Sequence, residues 1–239
     1  MLVRRVRKTA LAAGTTAAVA GALLLAPAVL PAAGPILPIS APTAHADPCP
    51  QVEVVFARGR VEPPGTGRIG EALIDAIRAR TDKDVGYYAV NYPADTEVIQ
   101  GANDMSRHIQ YMAANCPDTR LVLGGYSLGA AVTDVVLAAP SAMFGYTNPL
   151  PLGMNDHIAA VALFGNGTRA IFGPVSDVSP LYGEKTIDVC TESDPICSGN
   201  LNPDDPIGDF VGSWSSHLQP AYIDSGLVDQ AADFVVARL

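Results

Sequence analysis

The sequence predicts a three-layer α/β/α fold on a mainly parallel central sheet of about five strands. Three observations predict it. Beyond residue 50, short apolar runs alternate with stretches where apolar residues recur every three or four positions, the pattern of strands covered on both faces by helices. The chain has 239 residues, which suits one core of domain size once an N-terminal leader is set aside. Two long stretches rich in Pro, Gly, Asn and Asp, Ser141 to Asp156 and Cys190 to Tyr222, are expected at the carboxyl edge of the sheet, where open α/β sheets hold their sites.

The elements follow in order. Val52 to Ala57 reads as a first strand, and Ile69, Leu73, Ile74 and Ile77 mark one face of a first helix. Val85 to Tyr92 returns to a strand that Pro93 stops. Val98, Ala102, Met105, Ile109 and Met112 line a second helix. Leu121 to Tyr126 is the third strand, Ala130 to Ala139 the third helix and Ile158 to Phe164 a fully apolar fourth strand. Thr186 to Val189 is the fifth strand, and Leu227 to Leu239 closes the chain as a helix with Ala231, Phe234 and Val235 on one side. There is no internal repeat.

Residues 1–46 read as an export signal, and residues 47–239 as one domain. Arg4, Arg5, Arg7 and Lys8 form a positive n-region. No charged residue follows from Thr9 to Ala46, and the apolar run ends at Ala44-His45-Ala46, a small-x-small cleavage pattern. Secretion, to the medium or the cell envelope, is the expected localisation. Pro27, Pro31, Pro35 and Pro38 break up the competing reading, a spanning anchor. The signal holds four of the 15 basic residues and none of the 24 acidic ones, so the mature balance is 11 − 24 = −13. That acidity, with no basic run, excludes nucleic acid as a partner; it fits a soluble exported protein, expected as a monomer.

Cys49, Cys116, Cys190 and Cys197 all follow the signal, and an even count in an oxidising compartment reads as disulfides. Of three connectivities, pairing Cys190 with Cys197 closes a short loop and leaves Cys49 to tie the N-terminal end to Cys116. With no CxxC spacing and no histidine grouped near these thiols, no metal site and no cofactor are expected.

Gly125-Tyr126-Ser127-Leu128-Gly129 is a G-x-S-x-G sequence between a strand and a helix. There a sharp turn exposes a serine hydroxyl above the sheet, and the following helix aims its amides at charge developing on a substrate carbonyl. A serine needs a base, and in this arrangement the order is Ser, acid, His. His45 lies in the signal, His108 on the second helix and His157 ahead of any suitable acid, which leaves His217. Asp188, Asp194, Asp204, Asp205 and Asp209 all precede it. Asp194, bracketed by Cys190 and Cys197, is best placed to be held still for an imidazole, and Asp188, near a strand end, is second.

These residues resemble the cutinase family. Cys190-Thr191-Glu192-Ser193-Asp194-Pro195-Ile196-Cys197 is similar to the cutinase loop in which two cysteines enclose the catalytic aspartate. Gly-Tyr-Ser-Leu-Gly at 125–129, Ser216-His217-Leu218 with Tyr222, and Phe56-Ala57-Arg58-Gly59 with Glu62 resemble its nucleophile, histidine and first-strand segments. The resemblance spans about residues 49 to 239. It implies a lidless α/β-hydrolase of carboxylic esters, lipid and polyester esters included, with Ser127, Asp194 and His217 as triad and disulfides Cys49–Cys116 and Cys190–Cys197. It also implies an oxyanion hole made by the backbone amides of Arg60 and Leu128. Both positions depart from the family, which usually has a small hydroxyl residue at the first and Gln at the second.

The leading expectation is therefore a secreted serine esterase acting through an acyl-enzyme on Ser127, its partner an ester or lipid substrate. Pro195, Ile196, Leu201, Ile207, Phe210, Val211 and Trp214 flank the acid and base and are candidates for an apolar wall; contact with a lipid interface is a further expectation. Two alternatives stand beside it: an acyltransferase using the same acyl-enzyme, and a weakly active lipid- or envelope-binding homologue disabled by Arg60 and Leu128.

Overall fold

The computed structural model describes residues 49–198 and 212–239. The expected signal lies outside them, as do Leu201, Asp204, Asp205, Ile207, Asp209, Phe210 and Val211.

Five strands form one parallel sheet in the order β2-β1-β3-β4-β5: β1 Val52–Ala57, β2 Val85–Ala89, β3 Arg120–Tyr126, β4 Ile158–Phe164 and β5 Thr186–Val189. The period-2 alternation of strand side chains sorts the core into two layers. Val55, Ala57, Leu123 and Leu163 face α2 (Val98–Asn115) and α3 (Leu128–Ala138), where Met105, Ile109 and Val132 meet them. Val54, Phe56, Val122 and Phe164 face α1 (Gly67–Arg78) and the C-terminal helix Leu227–Val236. On α1 the apolar stripe Ile69, Leu73 and Ile77 is fully buried, each side chain contributing about 1.5–3 kcal/mol by leaving water. The expected three-layer α/β/α fold is the observed one.

Three details differ from expectation. The second strand stops at Ala89 rather than Tyr92, because beyond the pairing of Phe56 with Ala89 the backbone turns away: the Asn91 amide bonds Asp104 of α2 and the Tyr92 carbonyl bonds Arg58. The stretch from Ser141 to Asp156 follows α3, not a strand. It packs on α2 through Asn103 to Gly145 at 2.9 Å and leads into the amino end of β4, so it is not at the site. Between β4 and β5 the chain forms three helical turns, α4 Arg169–Phe172, α5 Val175–Val178 and α6 Pro180–Gly183. Beyond residue 212, α7 (Gln219–Asp224), with Pro in its first turn, precedes α8 (Leu227–Val236).

Candidate active site

Ser127 sits between the end of β3 and the start of α3 with φ +54°, a left-handed backbone that a residue with a Cβ occupies only under strain. The turn closes because its flanking positions carry no side chain. A Cβ on Gly125 would lie 2.1 Å from the Gly129 carbonyl oxygen, and one on Gly129 would lie 1.9 Å from the Ala57 carbonyl oxygen. The Ser127 amide donates to the Phe164 carbonyl at 2.8 Å, which fixes the turn to β4.

The Ser127 Oγ lies 2.9 Å from His217 Nε2, and His217 Nδ1 lies 2.7 Å from Asp194 Oδ2. The Asp194 side chain is fully buried and that of His217 nearly so. Burial opposes ionisation of the Asp194 carboxyl, but hydrogen bonds from His217, from the Tyr222 hydroxyl and from the Ile196 amide outweigh it and hold the group below the ordinary carboxylate range. An ionised carboxylate only accepts, so Nδ1 carries the proton and Nε2 presents its lone pair to the serine hydroxyl. The Tyr126 hydroxyl donates to the His217 carbonyl, tying the histidine segment to the nucleophile's own strand.

Both disulfides are formed, Cys49–Cys116 and Cys190–Cys197. The second spans the turn that carries Asp194, where the Asp194 amide bonds the Thr191 carbonyl at 3.1 Å and the Ser198 amide the Asp194 carbonyl at 3.2 Å. Cys190, Asp194 and Cys197 lie together, yet the two sulfurs are bonded to each other and offer no thiolate to a metal.

Asp188 stands apart from His217. It lies within β5, one residue before its end, where its carboxylate accepts from Asn166 Nδ2 at 3.2 Å, and the same amide donates to Asp134 at 2.9 Å. Burial pushes the Asp188 carboxyl up to about 7; Asp134 adds to the rise while Arg169 and Asn166 counter it. Thr168 also donates to Asp134. This cluster pins residues 166–168, and Gly167 and Thr168 line the cleft beside Ser127.

That cleft, about 590 Å³, is bounded by Arg60, Leu128, Ala131, Ile171, Ile196 and Trp214, among others. Of the expected apolar wall, Ile196 and Trp214 line it, whereas Pro195 is buried and does not line it. Leu128 opens α3, so its amide belongs to the helix's unpaired first turn. Arg60 lies on a turn held by buried Arg58, which donates to the carbonyls of Glu62 at 2.9 Å and Tyr92 at 2.6 Å. The Glu62 carboxylate accepts from the Gly59 amide at 2.7 Å and the Arg68 amide at 3.1 Å. Leu128 cannot brace this turn as an amide side chain would, but Gln219 does reach it, donating to Glu62 at 3.2 Å.

Arg58, Tyr126, Asn166 and Gln219 had no assigned part in the sequence reading. A signal existed for Arg58, a charged residue directly after a mostly apolar strand, and for Tyr126 inside the nucleophile motif. Gln219, 157 residues from Glu62, gave none.

A model of the family described as Cutinase matches residues 48–239. The chain belongs to the cutinase family. The probable carboxylesterase Culp2 of Mycobacterium tuberculosis is 53% identical over 241 residues, covering 100% of this chain and 98% of that protein. The phospholipase Culp4 of the same species is 49% identical over 208 residues, 85% of each. Among solved structures, Trichoderma reesei cutinase in complex with a C11Y4 phosphonate inhibitor superposes with a TM-score of 0.60 at 30% identity, over 80% of this chain and 77% of that one.

Proposed function

We propose that this carboxylic ester hydrolase of the cutinase family acts through an acyl-enzyme on Ser127. The observation that carries the reading is the unbroken relay from Ser127 Oγ to His217 Nε2 at 2.9 Å and from His217 Nδ1 to Asp194 at 2.7 Å, opening on a largely apolar cleft. Ser127 Oγ attacks the ester carbonyl as His217 takes its proton. The oxyanion forms against the backbone amides of Arg60 and Leu128, and the alcohol leaves with the proton from His217. Water, deprotonated by His217, then attacks the acyl carbonyl; the acid is released and the proton returns to Ser127. Asp194 holds the imidazole in the tautomer this requires and stabilises its cation.

The relatives' names, carboxylesterase and phospholipase, favour water over an alcohol as the acceptor. A binding-only homologue is disfavoured by the braced turn at Arg60, a preorganisation that substrate binding alone does not need. Export by residues 1–46 remains part of the proposal, supported by two disulfides that belong to an oxidising compartment, as do action as a monomer and contact with a lipid interface.

The test is turnover of p-nitrophenyl esters of rising acyl length, with and without an acceptor alcohol. Burst release of nitrophenol followed by steady hydrolysis is expected, with free acid as the product even when alcohol is present. Ester product dominating over acid would make the protein an acyltransferase, and no turnover of any ester would leave a binding role.

A further inference from the structure

The chain is acidic, with 24 Asp and Glu against 15 Lys and Arg, yet no carboxylate is among the described residues that line the cleft. Among those described lining residues the one side chain with a permanent charge is the guanidinium of Arg60. That residue is exposed and makes no ion pair within 4 Å among the described residues. Asp95 is a carboxylate on which its charge acts, and the Asp95 Oδ1 accepts from the backbone amides of Thr96 and Glu97.

The backbone that carries Arg60 is also fixed. Its turn is clamped by Arg58, Glu62 and Gln219, and Val61 beside it is held at φ +56° while its amide donates to the Ala94 carbonyl at 2.7 Å. The braced turn sets where the side chain starts, and its planar, permanently charged fork matches the acceptor geometry of phosphate or carboxylate.

We infer that the Arg60 side chain forms an anion subsite of the ester-binding cleft, selecting esters that carry an anionic oxygen group, such as a phosphate, next to the scissile bond. Apolar Leu128, Ala131 and Ile196 take the acyl chain, and the guanidinium takes the charge. The inference rests on the acyl-enzyme reading, since it places the subsite on the residue whose backbone amide faces the oxyanion.

The test uses a monoacylglycerol and the monoacylglycerol phosphate with the same acyl chain, turned over by the wild-type protein and by Arg60→Gln and Arg60→Lys. The readout is the ratio of kcat/KM on the charged ester to that on the neutral one, so a backbone effect common to both divides out. Arg60→Gln is expected to lower that ratio about tenfold, the loss of one charge-assisted contact, and Arg60→Lys to restore part of it. The wild-type ratio should fall as salt rises. An unchanged ratio in Arg60→Gln overturns the subsite. Failure of the acyl-enzyme reading shows separately, as loss of phosphonate labelling at Ser127, so the two are not confused.

Discussion

Several side chains near the nucleophile serve by holding others. Asp194 receives three hydrogen bonds, two from side chains brought by the histidine segment and α7 and one from the amide two residues on. Asp188 shows the opposite balance. Its carboxyl shares one amide with Asp134, keeps a buried oxygen without a partner among the described residues, and is pushed up to about 7 by burial. Below the unfolded-state value near 3.8 both folded and unfolded chains hold the proton. As pH rises toward 7 the unfolded chain releases it first, so stability present in acid is lost across that window. Asp188→Asn keeps an acceptor for Asn166 and removes the titration. Its melting temperature relative to wild type should therefore be more favourable near pH 8 than near pH 4, as thermal unfolding at the two pH values will show. An equal difference at both would mean that Asp188 titrates normally.

At the scale of elements, the two disulfides divide their work. Cys190–Cys197 closes seven residues around Asp194, and Cys49–Cys116 closes 67 from the start of the domain to the end of α2. In the chain-entropy model the longer loop contributes about 4 kcal/mol and the shorter about 2.5. Replacing Cys49 and Cys116 together by serine should lower the melting temperature more than turnover. Replacing Cys190 and Cys197 should lower turnover more, because the Asp194 turn loosens under His217. Melting curves and kcat on the two double variants decide it, and matched losses of both properties would contradict the division. The turn at Arg60 makes a similar point without a covalent bond: the Gln219 amide from α7 meets the Glu62 carboxylate.

Across the whole molecule, legibility followed locality. β1 and β4 could be read to the residue, because every position in them is buried and the run is apolar throughout in β4 and interrupted only by Glu53 in β1. The nucleophile turn was legible because its glycines face carbonyls under 2.2 Å from any added Cβ, a demand written in two letters of sequence. The four-residue helices between β4 and β5 were not, since a single turn is too short to show a period. Nor was the cluster of Asp134, Asn166, Thr168 and Asp188, which meets only once α3, β5 and the loop after β4 are packed side by side.

The central claim is that this packing makes one serine a nucleophile. Incubating the folded protein with an alkyl phosphonate ester and locating the adduct by mass spectrometry tests it directly. The account predicts stoichiometric modification of the Ser127 Oγ, abolished in Ser127→Ala and slowed more than about 1000-fold in His217→Ala, which lacks the base. Modification of a different serine, or none in protein that remains folded, would contradict it.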